Sequence, residues 1–503
     1  VAFRSAFMKH LIRIVLAIPV VLAFSSAAAQ FYNGTKQESG KNRVQYQDFL
    51  WQHYKFGALE TYFYKGGRDV ARYTAISAHK HLKELERTFD YALDERLQFV
   101  VYNSLTDFRQ SNIGLSNDEQ FNIGGVTRIV GTKIFVYNEG DRALLDKQVR
   151  SGIAHVMLDQ MMYGGNWREV IKNSTLLNLP DWYTKGLISH VGNGWDAQRE
   201  SRVKDGVLSG RFDKFNRLEG EEAELAGHMI WRYVSDVYGE SVVPNILYMT
   251  RVSRNAESGF LFVLGVSLKT LSEECVAYYR DRFNEQDRTR KAIVADEFPI
   301  KNRRTIGYSE FKLSPNGRYA AWVSNELGRY KVYVYDISNK KRKVIARGEH
   351  RLNRIIDRSY PVLAWHPGSR GLSYVVERKG EPLLKTYSLD EKTTTVRPVL
   401  SVEKVLDLAY SPDGQNIIFS AVREGRTDLY LYCIIGSRQE QLTDDQWDDL
   451  DPRFVDNGAS IIFSSDRTDD TLRTGGEVAL TSGTKDIFLL DLSTRSRLLT
   501  RLS

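Results

Sequence analysis

His155 and Asp159 stand one helical turn apart, so an imidazole and a carboxylate share a face of any helix running through Arg150-Ser151-Gly152-Ile153-Ala154-His155. Such a pair could offer two ligands to a metal. H-x-x-x-D pairs are common by chance, however, and the expected arrangement is a packed imidazole capped by the carboxylate. His190 and His228 read as polar residues of helix faces rather than as ligands. A hydrolytic zinc site on one helix asks for more: two histidines a turn apart, a glutamate beside the first to activate bound water, and a downstream acid.

Other chemistries find less support. The chain has no G-x-S-x-G nucleophile elbow. Gly164-Gly165-Asn166 and Gly192-Asn193-Gly194 lack the spacing of a phosphate loop and read as turn punctuation. Two cysteines, Cys275 and Cys433, exclude a disulfide framework and a four-cysteine zinc site, and two buried thiols are expected. The acidic run from Asp444 to Asp451 could attract a cation or a basic partner, but a solvated connection between strands is the expected role. No cofactor is implied.

The elements that must position these residues fall into two textures. Between residues 45 and 290, helical and strand-like patterns alternate. Val70 to Phe89 repeats its apolar residues at helical spacing, and further helices are expected from Leu144 to Met162, Glu221 to Tyr238 and Leu268 to Phe283. Leu97 to Tyr102 and Thr132 to Tyr137 read as strands. The charged, aperiodic stretch 287–304 is the expected linker. Beyond it, turns recur at Ser314-Pro315-Asn316-Gly317, His366-Pro367-Gly368-Ser369, Ser411-Pro412-Asp413-Gly414 and Val455-Asp456-Asn457-Gly458, spaced by 52, 45 and 44 residues. Each precedes a strand. A repeat of short strands at this period signals β-propeller blades, four of them visible.

Composition sets the outer bounds. The 503 residues are 42% hydrophobic and 26% charged, as in folded multidomain chains. Lys and Arg exceed Asp and Glu by seven, and Arg4, Lys9 and Arg13 account for three of those. The small remainder gives no reason to expect nucleic-acid binding. From Met8, a basic start, an apolar run (Ile14–Phe24) and Ala27-Ala28-Ala29 form the three parts of a secretory signal peptide. Residues 1–29 are therefore expected to be an export address, and no transmembrane helix is expected in the mature chain.

With these residues in view, Trp51 to Phe283 resembles the gluzincin-like peptidase MA families, whose helix reads roughly R-H-E-x-x-H-V and whose later motif reads L-P-x-W-x-x-E-G-L-A-E-Y. The matching segments are Arg150 to Leu158 and Leu179 to His190. Gly124-Gly125-Val126-Thr127, Gly194-Trp195-Asp196 and Ala226-Gly227-His228 also match. Carried over by position, Ser151 takes the place of the first zinc histidine, Gly152 that of the general base, and Lys185 that of the third ligand. Only His155 matches a ligand. The resemblance thus implies a domain over residues 30–286 with no catalytic residues and no metal.

Residues 305–503 resemble the propeller of the TolB type through the S-P-[DN]-G turn and the D-[IL]-[YF] strand. That family has six blades, which implies further sequence beyond the four seen here. The two resemblances together imply an exported, multidomain protein: an α+β gluzincin-like domain, then an all-β propeller. It would be a periplasmic scaffold that binds envelope proteins or peptides, with association with the outer membrane allowed. A zinc-dependent peptidase, or one completed by further C-terminal sequence, is the alternative.

Overall fold

The computed structural model describes residues 43–93, 95–113, 129–130, 132–164, 177–291, 298, 300, 303, 306–351, 356–472, 478–494 and 499–502. The expected signal peptide, the Gly124–Thr127 segment and most of the expected linker lie outside them. Residues Arg43–Ser503 cohere as one compact unit.

The N-terminal half begins with a hairpin, β1 (Gln52–Phe56) and β2 (Leu59–Phe63), turned at Gly57 with φ 56°. Next, β3 (Leu97–Tyr102) and β5 (Lys133–Tyr137) join in parallel, while the two-residue β4 (Ile129–Val130) pairs antiparallel. The order is β1-β2-β3-β5-β4, so β1 and β4 are the sheet edges. The central strands β3 and β5 are nearly continuous apolar runs, as strands buried on both faces require.

Helix α1 (Arg68–Phe89) lays Val70, Tyr73, Leu82, Leu85 and Phe89 into the core and stops at Asp90 in the left-handed conformation. After a short α2 (Leu105–Phe108) comes α3 (Arg142–Tyr163), whose N-cap Asp141 accepts from the Ala143 N–H at 2.9 Å. Then α4 (Asp181–Gly192) starts after Pro180, and α5 (Ala197–Leu208), α6 (Gly220–Tyr238), α7 (Val242–Ser253), α8 (Ala256–Leu264) and α9 (Leu268–Arg288) complete the half.

The approach of α4 to α6 depends on glycine. A Cβ at Gly186 would lie 2.4 Å from the Gly227 Cα, so the two backbones touch where neither carries a side chain.

From Ile306 the chain forms four consecutive four-stranded antiparallel sheets. The first holds β6 (Ile306–Leu313), β7 (Tyr319–Glu326), β8 (Arg329–Asp336) and β9 (Lys341–Gly348). The second holds β10 (Val362–Trp365) to β13 (Thr394–Pro398), and the third β14 (Lys404–Tyr410) to β17 (Arg438–Gln441). The fourth runs from β18 (Asp449–Val455) through β19 (Ser460–Ser465) and β20 (Asp486–Asp491) to β21 (Leu499–Arg501). Each sheet is ordered as the chain runs, the pattern of a propeller blade.

The repeated turn has a local cause. Ser314 Oγ accepts from the Tyr319 N–H and donates to Asn316 Oδ1, and Ser411 does the same with Asn416 and Asp413. Gly317 and Gly414 sit at φ 68° and 73°. Apolar faces then stack sheet on sheet. Val323 and Val332 meet Leu363 and Leu372; Val362 and Val375 meet Val405 and Phe419; Ile418 and Leu429 meet Ile461 and Phe463.

Candidate functional site

Helix α3 carries Ser151, His155, Asp159 and Tyr163 on one stripe, and α4 packs along it. At one end Ser151 is fully buried, and a Cβ on Gly192 would fall 2.1 Å from its Oγ. At the other end Tyr163 lies near enough to Tyr183 to act on its phenol electrostatically. The helices therefore run antiparallel, with Lys185 level with the Asp159 end of the stripe. Arg150 ties the same crossing, its Nε donating to the Val191 carbonyl at 2.6 Å.

Each of the four matched positions now has surroundings. The Ser151 hydroxyl has no hydrogen-bond partner among the described residues, and Gly152 is buried beside it. His155 is about one-third exposed, with Nε2 3.5 Å from Asp159 Oδ2. Desolvation pushes the Asp159 carboxyl upward, opposed by its attraction to His155. Lys185 Nζ lies 2.6 Å from Asp181 Oδ2, one turn back on its own helix. A histidine at 151 would need the space that Gly192 and the backbone around it now fill.

His190 and His228 sit elsewhere, in the helical core. His190 Nε2 meets Ser235 Oγ and His228 Nδ1 meets Ser189 Oγ, both at 3.1 Å. Burial and then the Arg232 charge bring His190 down to about 4. Burial, with nearby Arg199, holds His228 well below the usual range, so both imidazoles are neutral at pH 7. Trp195 packs against His228, ring centroids 5.5 Å apart, and carries the Arg232 guanidinium 4.7 Å from its ring centroid. No adjacent sequence pattern announces this cluster.

The acidic run departs from expectation. Asp445, Asp448 and Asp449 are buried rather than solvated. Arg467 supplies the reason: its guanidinium, itself fully buried, bonds Asp445 Oδ2 at 3.0 Å and both Asp449 oxygens at 2.7 Å. Asp428, Asp445 and Asp449 present carboxylate oxygens within 4.8 Å of one another. With Arg467 already among them, the arrangement is a buried ion network between the third and fourth sheets.

The two halves meet along a polar seam. Arg426 clamps Asp69 Oδ2 through Nε and Nη2, at 3.0 and 2.6 Å. Thr427 Oγ1 donates to the Gly140 carbonyl, Thr106 Oγ1 to Glu377, and Lys485 to Asp141. Gly425 turns at φ 76° directly against Val70, where any Cβ would clash at 2.0 Å. Asp448 accepts the Arg142 N–H at the start of α3, at 2.6 Å. The sheet ends near residues 377, 424–427, 448 and 485 are thus engaged by the chain's own N-terminal half.

Burial pushes both Asp448 and Glu403 up to about 7 on this seam. An acid raised above its unfolded value near 3.9 contributes stability in full below that value and loses it as pH rises through 7. Asp448→Asn keeps an acceptor for the Arg142 N–H and removes the titration. Urea midpoints between pH 5 and 8 are expected to fall for the native chain and to fall less for this variant. The difference should approach 1.4 kcal/mol per pH unit at most while Asp448 titrates; parallel slopes would show that Asp448 is ionised throughout.

Comparison with known proteins bears on the repeats. No family model matches the chain. A Tol-Pal system protein TolB from Anaeromyxobacter dehalogenans (strain 2CP-C) is 32% identical over 91 residues. That stretch is 18% of this chain, and the chain spans only 20% of that relative. A TolB crystal structure from Acinetobacter baumannii aligns at TM-score 0.31 and 18% identity, over 39% of this chain and 43% of that one. The β-propeller domain of the Trilobed protease from Pyrococcus furiosus aligns at 0.28 and 8% identity, over 40% and 58%. The TolB-like character expected of the repeats has support from the sequence relative, while the blade description rests on the chain's own sheets. No helix among the described residues is long and apolar enough to cross a membrane.

Cys275 and Cys433 are both free thiols. Cys275 is buried as expected, and desolvation holds its thiol well above the usual value; Cys433 is only partly buried.

Proposed function

We propose that the chain is an exported, non-catalytic protein-binding scaffold of the cell envelope, in which TolB-like repeats are joined to a peptidase-like domain that has lost its chemistry. The observation that carries the reading is the state of the matched site. Ser151, at the first-ligand position, is a buried serine wedged against Gly192, and Lys185 at the third-ligand position is engaged by Asp181. A cation there opposes a second, divalent one: at 4 Å and an effective dielectric near 20, a single like pair costs roughly 4 kcal/mol, and a dication doubles it.

Binding of an extended peptide by strand addition remains open to such a domain at a free sheet edge. The edge strand β1 is mostly exposed. The TolB likeness supports the envelope setting and a protein partner.

The test is the zinc content of the purified full chain, as isolated and after dialysis against equimolar zinc, beside a peptidase assay. Substoichiometric metal and no cleavage are expected. One zinc per chain that disappears in His155→Ala would overturn the reading.

A further inference from the structure

A cavity of about 410 Å³ opens between the N-terminal half and the first two sheets. From the N-terminal half come Arg43 and Arg109; from the sheets come Glu349, Asp357, Glu377 and Lys379. Tyr46, Tyr330 and Tyr360 add ring surface. The volume falls within the range of about 300–1,000 Å³ common to small-ligand pockets.

The arginines are the unusual feature. Arg43 spends one N–H on the Ser111 carbonyl at 3.2 Å, while the Arg109 guanidinium has no hydrogen bond or ion pair among the described residues. The two repel each other: burial, and then the Arg109 charge, lowers Arg43 to about 10. Arg109 also attracts Asp357 and Glu377 across the cavity, and two guanidiniums facing one space suit a carboxylate, which they can hold through paired N–H donors. The acids in the same lining select against a polyanion. Glu377 is held by Thr106 Oγ1 at 2.6 Å, and Asp357 Oδ1 accepts from the Ser359 N–H at 2.8 Å, so both are fixed in place. Three basic and three acidic side chains around one cavity suit a ligand that carries both signs.

We propose that this cleft binds a short zwitterionic peptide, its terminal carboxylate held between Arg109 and Arg43 and its amine toward the Glu349, Asp357 and Glu377 carboxylates. None of these residues lies on the helices of the peptidase-like site. The inference therefore stands whether or not the non-catalytic reading does.

The test is thermal melting of the full chain with an equimolar pool of Ala-Ala-Xaa tripeptides with free ends. Parallel melts use the C-amidated pool, the N-acetylated pool and inorganic phosphate. The free pool is expected to raise the melting temperature, with the shift lost on amidation, reduced on acetylation and not reproduced by phosphate. Arg109→Gln breaks no hydrogen bond or ion pair among the described residues but removes its attraction for Asp357 and Glu377, so the shift is read from the unliganded variant's own melting temperature, and the peptide shift is expected to be lost. No shift with the free pool overturns the proposal. So does an equal shift with amidated peptide or with phosphate, or a shift that survives Arg109→Gln.

Discussion

Alanine at Gly227 is expected to destabilise the chain by about 3–4 kcal/mol, the upper range for forcing atoms into a filled core. The added Cβ would lie 1.9 Å from the Trp182 carbonyl oxygen and 2.8 Å from the Gly186 Cα, where real Cβ contacts essentially never come under 3.0 Å. Both obstacles are backbone, so no side chain can swing aside and the two helices must separate. Separation would also strain the Trp231 Nε1 bond to the Tyr183 carbonyl, 2.9 Å long, and the edge-to-face stack of those rings. Alanine favours a helix over glycine by roughly 1 kcal/mol, which works against the loss and is too small to reverse it. Gly194→Ala is the control, since nothing lies within 4 Å of its Cβ position. Urea denaturation should show a large midpoint drop for Gly227→Ala and little change for Gly194→Ala. Similar midpoints for both would mean that the helices can part freely.

The contrast between those two glycines marks what the sequence can convey. Local signals translate directly: the Ser-Pro-Asp-Gly turn fixes its own geometry within six residues, so the blade period is visible without a structure. Helices with strong apolar stripes, such as Arg68–Phe89, likewise appear close to their expected bounds. Strand β1 was not legible because Gln-His-Tyr-Lys-Phe is an exposed edge with no buried face to impose alternation. Helix α7 starts without a side-chain cap, whereas α8 is bounded by Asn255, whose Oδ1 accepts from the Ser258 N–H, and by Gly265 at φ 75°, end signals that apolar periodicity alone does not reveal.

The candidate site shows the same division. Ser151, Gly152, His155 and Lys185 are legible as residue types in a motif, but the wedge of Ser151 against Gly192 depends on a helix crossing some forty residues away. The seam is less legible still. Arg426 and Asp69 are 357 residues apart, and nothing in either neighbourhood names the other.

The acidic run is where a distant partner inverted the local reading, and it yields the second large effect. Arg467→Met, which keeps an unbranched stem and removes the charge, is expected to cost about 3–5 kcal/mol at pH 7.5, the range for stranding one side of a buried ion pair. Asp445 already titrates at about 6, raised by burial and by Asp449, even with Arg467 pulling it down. Burial also raises Asp449, and raises Asp428 further, with Asp449 and Asp445 adding to the effect. Without the guanidinium these acids can only move higher, while their unfolded values stay near 3.9.

The sign follows. Groups with raised folded values keep their full stability below the unfolded value and lose it as pH rises, so the penalty should be small near pH 4.5 and largest above 7. Lost packing of Arg467 against Phe463 and Phe488, each ring centroid 5.6 Å away, would instead cost the same at every pH. Urea midpoints for native, Arg467→Met and Arg467→Met/Asp449→Asn chains at both pH values separate the two. A penalty that grows with pH and is partly relieved in the double variant identifies stranded charge; a flat one assigns the effect to packing and means that the folded native and variant chains bind the same number of protons across the range.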